Sequence, residues 1–226
     1  MAMQKLTTIS AWTLSALFHP LLIIMYMLFM YLLVNPYLFP YRSGKEFGAI
    51  LLIVFFTSVA IPMVAILLMY STGLVKSLEM KERTDRIGPL MCTSIAYLWL
   101  FLNIRTHNAM PTVFSAFVLG AIIALFVAFF INNFSKISLH AVALGGFFFA
   151  FLHLVYSYGR PYTSLLLSDN MILSVHNLLM LAILTIVIGA VLSSRIYLKA
   201  HRPEDVFGGF IVGLISQLAA FMFFLN

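Results

Sequence analysis

The chain has 226 residues, 63% hydrophobic and only 9% charged, with a formal net charge of +6 and a mean hydropathy of +1.06. Roughly a quarter of an ordinary soluble chain is charged, so this composition excludes a soluble globular domain and leaves structures that satisfy their own backbone in lipid, helices or a closed barrel. The apolar runs are continuous rather than alternating, which excludes the barrel, and the basic residues are scattered between those runs, which is not a nucleic-acid-binding pattern.

A helix that crosses a bilayer needs about 20 mostly apolar residues. Seven segments meet that measure, at about 11–34, 48–70, 88–104, 112–131, 139–156, 171–192 and 206–225, the third being the shortest. The expected fold is therefore a single all-α integral membrane domain over residues 1–226, a bundle of six to seven transmembrane helices. The first segment follows Lys5 but lacks a short apolar core with a small-residue cleavage site, so it reads as a retained helix. Pro20 and Pro62 fall within or near helix starts, where a bundle tolerates a kink. Asn35-Pro36, Phe39-Pro40, Ser71-Thr72-Gly73, Asn108 to Pro111, Asn132-Asn133 and Gly159-Arg160-Pro161 supply the breaks. Gly145-Gly146 and Gly208-Gly209 are candidate close-packing points between helices. The lone Cys92 has no partner within the chain and reads as a small buried hydrophobe.

If all seven segments span, loops 71–87, 132–138 and 193–205 share one face with the N-terminus. That face carries Lys5, Lys76, Lys81, Arg83, Arg86, Lys136, Arg195, Lys199 and Arg202, against Arg42, Lys45, Arg105 and Arg160 on the other. Such an asymmetry suits either cytoplasmic loops or an anionic substrate.

Chemistry concentrates in one of these loops, Ser194-Arg195-Ile196-Tyr197-Leu198-Lys199-Ala200-His201-Arg202-Pro203-Glu204-Asp205, a pattern S-R-x5-H-x3-D. A neutral imidazole attacks phosphorus when one nitrogen is free and the other is held by an acceptor. Asp205, four residues after His201, reaches that second nitrogen if a helix begins near residue 202, fixing the tautomer and stabilising the cation that forms. Arg195 offers a planar fork matched to phosphoryl oxygens. Guanidinium groups and amides meet the transition-state charge, so this chemistry needs neither metal nor cofactor. The simpler alternative is a basic loop whose His and Asp solvate a helix end.

This pattern resembles the third signature of the type 2 phosphatidic acid phosphatase (PAP2) family, the lipid phosphatase and haloperoxidase superfamily, at all four fixed residues. Ile137-Ser138-Leu139-His140 is similar to that family's P-S-G-H signature at Ser and His only, with Ile137 in place of Pro and Leu139 in place of Gly. The resemblance implies that Ser138 binds phosphate and that His140 protonates the leaving alkoxide, a poor leaving group that needs a positioned acid. The first signature, K-x6-R-P, is met in spacing by Lys76 and Arg83 without the Pro, while counting from Lys81 places Gly88 where Arg should stand. Arg83 and Arg86, three residues apart on one helical face, are the candidate phosphate clamps. The alternative for them is a charged loop balanced by Glu82 and Asp85.

The expectation is a metal-independent phosphatase acting on a membrane lipid that bears a phosphate, through a phosphohistidine on His201, with His140 as acid, Asp205 orienting His201, and Arg195, Ser138, Arg83 and Arg86 on the phosphoryl oxygens. The alternative is a non-catalytic membrane protein that binds or transports anionic lipids. Phosphatidic acid, phosphatidylglycerophosphate, undecaprenyl pyrophosphate and lipid A phosphates all stay open as substrates, as do a part for Lys76 or Lys81 and the oligomeric state. The resemblance to bacterial members implies the inner (cytoplasmic) membrane. The charge count puts the motif face in the cytoplasm, and the family's bacterial members often act on the outer side. His19 reads as a helix-terminal or packed histidine, and His107, His153 and His176 as structural. No metalloprotease, nucleophile-elbow or P-loop motif is present, and three scattered Asp do not make a magnesium site.

Overall fold

A computed structural model describes residues 2–40, 43–168 and 171–225; Arg42, which the charge assignment above includes, lies outside them. Helices α1 (Ala2–Leu17) and α2 (Ile23–Val34) are separated by His19 and a tight turn over Pro20–Leu22, and the axis bends there by 40°. Pro20 has no N–H to continue the ladder and its ring obstructs the preceding turn. α3 (Gly44–Phe55) and α4 (Ile61–Ser71) form one continuous rod through a widened turn at Phe56–Ala60, which accommodates Pro62. A short turn (Thr84–Arg86) leads into α5 (Ile87–Ile104), followed by α6 (Thr112–Asn132) and α7 (Leu139–His153). The last two helices are α8 (Asn177–Tyr197) and α9 (Pro203–Phe224).

Among the described residues six helices are long and apolar enough to cross a membrane, and the bent α1–α2 pair makes a seventh if it counts as one span. At 1.5 Å per residue, the 21 residues of α6 extend about 30 Å, the thickness of a bilayer's hydrocarbon core. The outer surface is correspondingly apolar, with Phe130 66%, Ile186 73% and Phe223 88% exposed.

The fold is 77% helical and nearly all-α, which corrects the expected all-α architecture in one place. Residues 171–176, assigned above to the start of a helix, instead form strand β2 (Met171–His176), paired antiparallel with β1 (Tyr162–Ser168). A short apolar run of this kind has no periodicity that separates strand from helix. The hairpin is tied down at its base, where Thr163 donates to Asn177 Oδ1 at 2.6 Å and Asn177 Nδ2 donates to the Arg160 carbonyl at 2.5 Å.

The loops gather at two ends as parity requires. At one, Arg83 bonds to the carbonyls of Asn133 and Phe134, and Lys136 to that of Ala200. At the other, Asn35 bonds to the Tyr158 carbonyl and the Arg160 guanidinium lies over the Tyr37 ring. The alignment of α7 with α9 fixes the first end. A Cβ on Gly145 would strike the Phe210 carbonyl, one on Gly213 the Val142 carbonyl, and one on Gly209 would come within 2.8 Å of the Ser138 carbonyl. The two backbones therefore touch without intervening side chains. Gly208 faces open space and takes no part.

Candidate functional site

The helix α8 ends at Tyr197, and Lys199, in the left-handed region at φ 53°, reverses the chain. Arg202 caps α9, whose first residue is Pro203, a favoured opening because that N–H would be unpaired in any case. Asp205 Oδ2 accepts from the Arg202 N–H at 3.0 Å, an acidic side chain closing the first turn. The same oxygen is 3.8 Å from His201 Nδ1. That approach is longer than a hydrogen bond, and the buried Nδ1 has no hydrogen-bond partner among the described residues. Asp205 thus stands near the imidazole but does not make the hydrogen bond expected to fix its tautomer, because its carboxylate closes the first turn of α9.

His201 is 8% exposed. Burial, and then the cations Arg86, Lys136 and Arg195, hold its pKa at about 3, far below the usual imidazole range. The ring is neutral at physiological pH, the form in which a nitrogen lone pair is available.

His140 lies on the first turn of α7, which Ser138 caps by accepting the Ala141 N–H. Its partner comes from the broken first helix. In an unbroken α1 the Ser15 carbonyl would accept the N–H of residue 19, but at the break the His19 N–H goes to the Ala16 carbonyl instead. The Ser15 carbonyl is taken by His140 Nε2 at 3.0 Å. A carbonyl only accepts, so the proton of neutral His140 sits on Nε2, and Nδ1 is the atom open to another partner. Ser15 also reaches Ser194, hydroxyl to hydroxyl at 3.0 Å, fastening α1 to the first residue of the S-R-x5-H-x3-D motif.

These residues surround a cavity of 860 Å³ whose wall includes His201, His140, Arg195, Arg86, Lys136 and His19. Arg195 Nε is buried in it with no partner among the described residues. Arg86, 5% exposed, is held by bonds from Nε to the Met80 carbonyl (3.0 Å) and from Nη1 to the Ile137 carbonyl (2.7 Å). Lys136 donates to the Ala200 carbonyl at 3.0 Å, and burial together with Arg86 lowers its pKa, an effect that Asp205 opposes.

Besides Asp205, two candidates stand outside the wall. Arg83 is exposed and its guanidinium serves the Asn133 and Phe134 carbonyls, at 3.2 and 2.6 Å, so it joins the 72–86 loop to the end of α6. Ser138 is wholly buried, with its hydroxyl on the Ala141 N–H and its own N–H donating to the Asp205 carbonyl at 3.2 Å. It joins the second motif to the third. Of the two lysines, Lys81 lines the cavity while paired with Glu79 at 3.0 Å, and Lys76 pairs with Glu82 at 3.1 Å away from the wall.

Sequence reasoning set His19 aside and counted Lys136 only as a loop charge. His19 is helix-terminal, accepting the Leu21 N–H, yet its ring also stands in the cavity wall against His140. The His-Pro pair at a helix break was the available signal for it, and the cation two residues before Ser138 was the signal for Lys136. The remaining histidines lie elsewhere: His107 accepts a backbone N–H in a turn, His176 accepts the Leu178 N–H as the N-cap of α8, and His153 packs on Phe221. Among the described residues, no three His, Cys, Asp or Glu side chains converge as a metal site would require.

The arrangement can admit an anion beside two imidazoles and present it to three cations. Compared with known proteins, the chain matches no protein-family model, no curated protein and no solved structure.

Proposed function

We propose that this chain is an integral membrane lipid phosphatase that works without a metal, through a phosphohistidine. One observation carries the reading: a buried His201, His140 with its Nε2 proton committed to Ser15, and an Arg195 Nε with no partner among the described residues all belong to one cavity at the end of an apolar bundle. The S-R-x5-H-x3-D pattern and its resemblance to the PAP2 family support the same chemistry.

In this reading the phosphoryl group rests against Arg195, Arg86 and Lys136, charge-assisted donors suited to phosphoryl oxygens. The Nε2 lone pair of His201 forms a bond to phosphorus as the phosphorus–oxygen bond to the lipid breaks. With the anionic phosphate bound beside it, His140 takes up a second proton on Nδ1, the nitrogen that the Ser15 carbonyl does not occupy, and the departing alkoxide takes that proton. Water then attacks phosphorus, its proton passes to His140, the phosphorus–nitrogen bond breaks, and inorganic phosphate leaves. Asp205, 3.8 Å from Nδ1 of His201, stabilises the cationic intermediate. The lower cavity wall, with Ile24, Phe117 and Leu125, suits an apolar tail.

The test is phosphate release from a panel of lipid phosphates by the detergent-purified chain, with and without EDTA. Release that survives EDTA and disappears in His201→Ala supports the reading. Full activity in His201→Ala refutes the phosphohistidine, and binding of anionic lipids without any release identifies the non-catalytic alternative.

A further inference from the structure

The cavity does not end at the imidazoles. Gln217, on α9, lies about three turns beyond Asp205 at 3.6 residues per turn, is 1% exposed, and lines the same space. Its Nε2 donates to the Ala116 carbonyl at 3.4 Å, which directs Oε1 the other way. That oxygen is buried and has no partner among the described residues. Two glycines make room for the amide: a Cβ at Gly120 would collide with it, and one at Gly146 would stand 3.8 Å from Oε1. Thr93 and Tyr97, one turn apart on α5, add two hydroxyl-bearing residues to a wall that is otherwise apolar at this depth. An acceptor left unbonded in such surroundings is costly, and it persists where something supplies a donor.

Gly146 follows His140 by six residues on one helix, so at 1.5 Å per residue the Gln217 amide sits about 9 Å deeper than His140. An apolar chain running down the cavity from a phosphate held at the imidazoles passes the amide at that distance.

We propose that Gln217, about 9 Å below the imidazoles, centres a second polar subsite, which accepts a hydrogen bond from a hydroxyl or amide N–H on the lipid roughly 6 Å from phosphorus, one hydrogen-bond length short of the amide. The inference rests on the lipid-phosphatase reading and names its substrate class: lipid phosphates with a donor near the head of the tail, such as N-acylated long-chain amino-alcohol phosphates. Diacylglycerol phosphates and polyprenyl phosphates carry no donor there and leave Oε1 unbonded. A site built to bond a polar group discriminates strongly against the analogue that lacks it.

The experiment uses the detergent-purified full chain, an N-acylated long-chain amino-alcohol phosphate and a diacylglycerol phosphate of matched chain length. The wild type is expected to favour the first in kcat/KM by at least about tenfold, and Gln217→Met, close in volume, to erase that ratio. Without lipid the variant should melt at the same temperature or higher, because it removes a buried unbonded acceptor. If Gln217→Met fails to fold, Gln217→Leu takes its place. Equal rates on both lipids in the wild type, or an unchanged ratio in the folded variant, overturn the subsite and leave the phosphatase reading intact. If neither lipid releases phosphate, that reading fails and the thermal shift produced by each lipid decides the subsite: selective stabilisation by the donor lipid, lost in the variant, sustains it, and equal shifts overturn it.

Discussion

The rings of His19 and His140 meet edge to face, their centroids 5.8 Å apart and their planes at 80°, across the break in the first helix. The break that places His19 there also frees the Ser15 carbonyl that holds His140. One local departure from helical geometry therefore fixes the second imidazole twice, once by packing and once by a hydrogen bond.

His19→Ala should remove the packing partner and leave the Ser15 bond in place. In the proposed reaction His140 is the proton donor, and misplacing a reacting group by even 1 Å can cost about 100-fold, so kcat is expected to fall roughly 10- to 100-fold with a smaller change in KM. His19→Phe, which restores an aromatic edge, should recover part of the loss. A kcat equal to wild type in His19→Ala would show that His140 keeps its position unaided.

The depressed His201 pKa makes a statement about stability. An unfolded histidine titrates near 6.5, whereas burial and its cationic neighbours hold the folded ring at about 3. The folded state binds this proton less readily than the unfolded one, so the stabilisation is complete above about pH 6.5 and is lost as pH falls toward 3. The thermal midpoint should drop between pH 7 and pH 4, and His201→Asn should flatten part of that slope. Identical slopes in the two proteins would exclude His201 as a contributor.

Arg195→Ala should weaken inhibition by orthovanadate and raise KM, because a charge-assisted bond to a buried anion is worth about 1.5–3 kcal/mol, or roughly 10- to 100-fold. Arg195→Lys keeps the charge but not the fork, and should recover only part of the affinity. Vanadate inhibition at the wild-type concentration in Arg195→Ala would remove this residue from the anion site.

Arg83 and Arg86, a plausible pair by spacing, should behave differently. Arg83→Ala removes exposed bonds between two loops and is expected to cost about 1 kcal/mol of stability while the folded protein turns over normally. Arg86→Ala removes a cation from the cavity as well as the bonds to Met80 and Ile137, and should lose both stability and turnover. Melting curves read beside rates per folded molecule separate the two.

Much of this architecture could be read from uninterrupted apolar runs, because a chain that must hide its backbone from lipid advertises each helix by length alone. What hydropathy missed was polar helix and apolar non-helix. Residues 2–10 are too polar for a hydrophobic window yet extend α1, and residues 171–176 are apolar enough for one yet pair as a strand. The loop motifs announced His201, Asp205, Arg195 and His140 because their residue types and spacings are unusual in so apolar a chain. Nothing in the spacing told Arg83 from Arg86, a difference made by which carbonyls each guanidinium meets. Gln217 was silent for another reason: one amide inside an apolar helix carries no pattern, and its meaning comes from Gly120 and Gly146 on two other helices.

The contact of Gly145 and Gly213 with opposing carbonyls has a consequence for how such a bundle can change over time. Two rods that touch main chain to main chain cannot slide or rotate without a clash, so the loops at their tips inherit a fixed offset from a point well inside the bundle. Insertions could lengthen the hairpin at 162–176, at the far end, without disturbing that offset. A single methyl group added at position 213 would shift both histidine-bearing loops together.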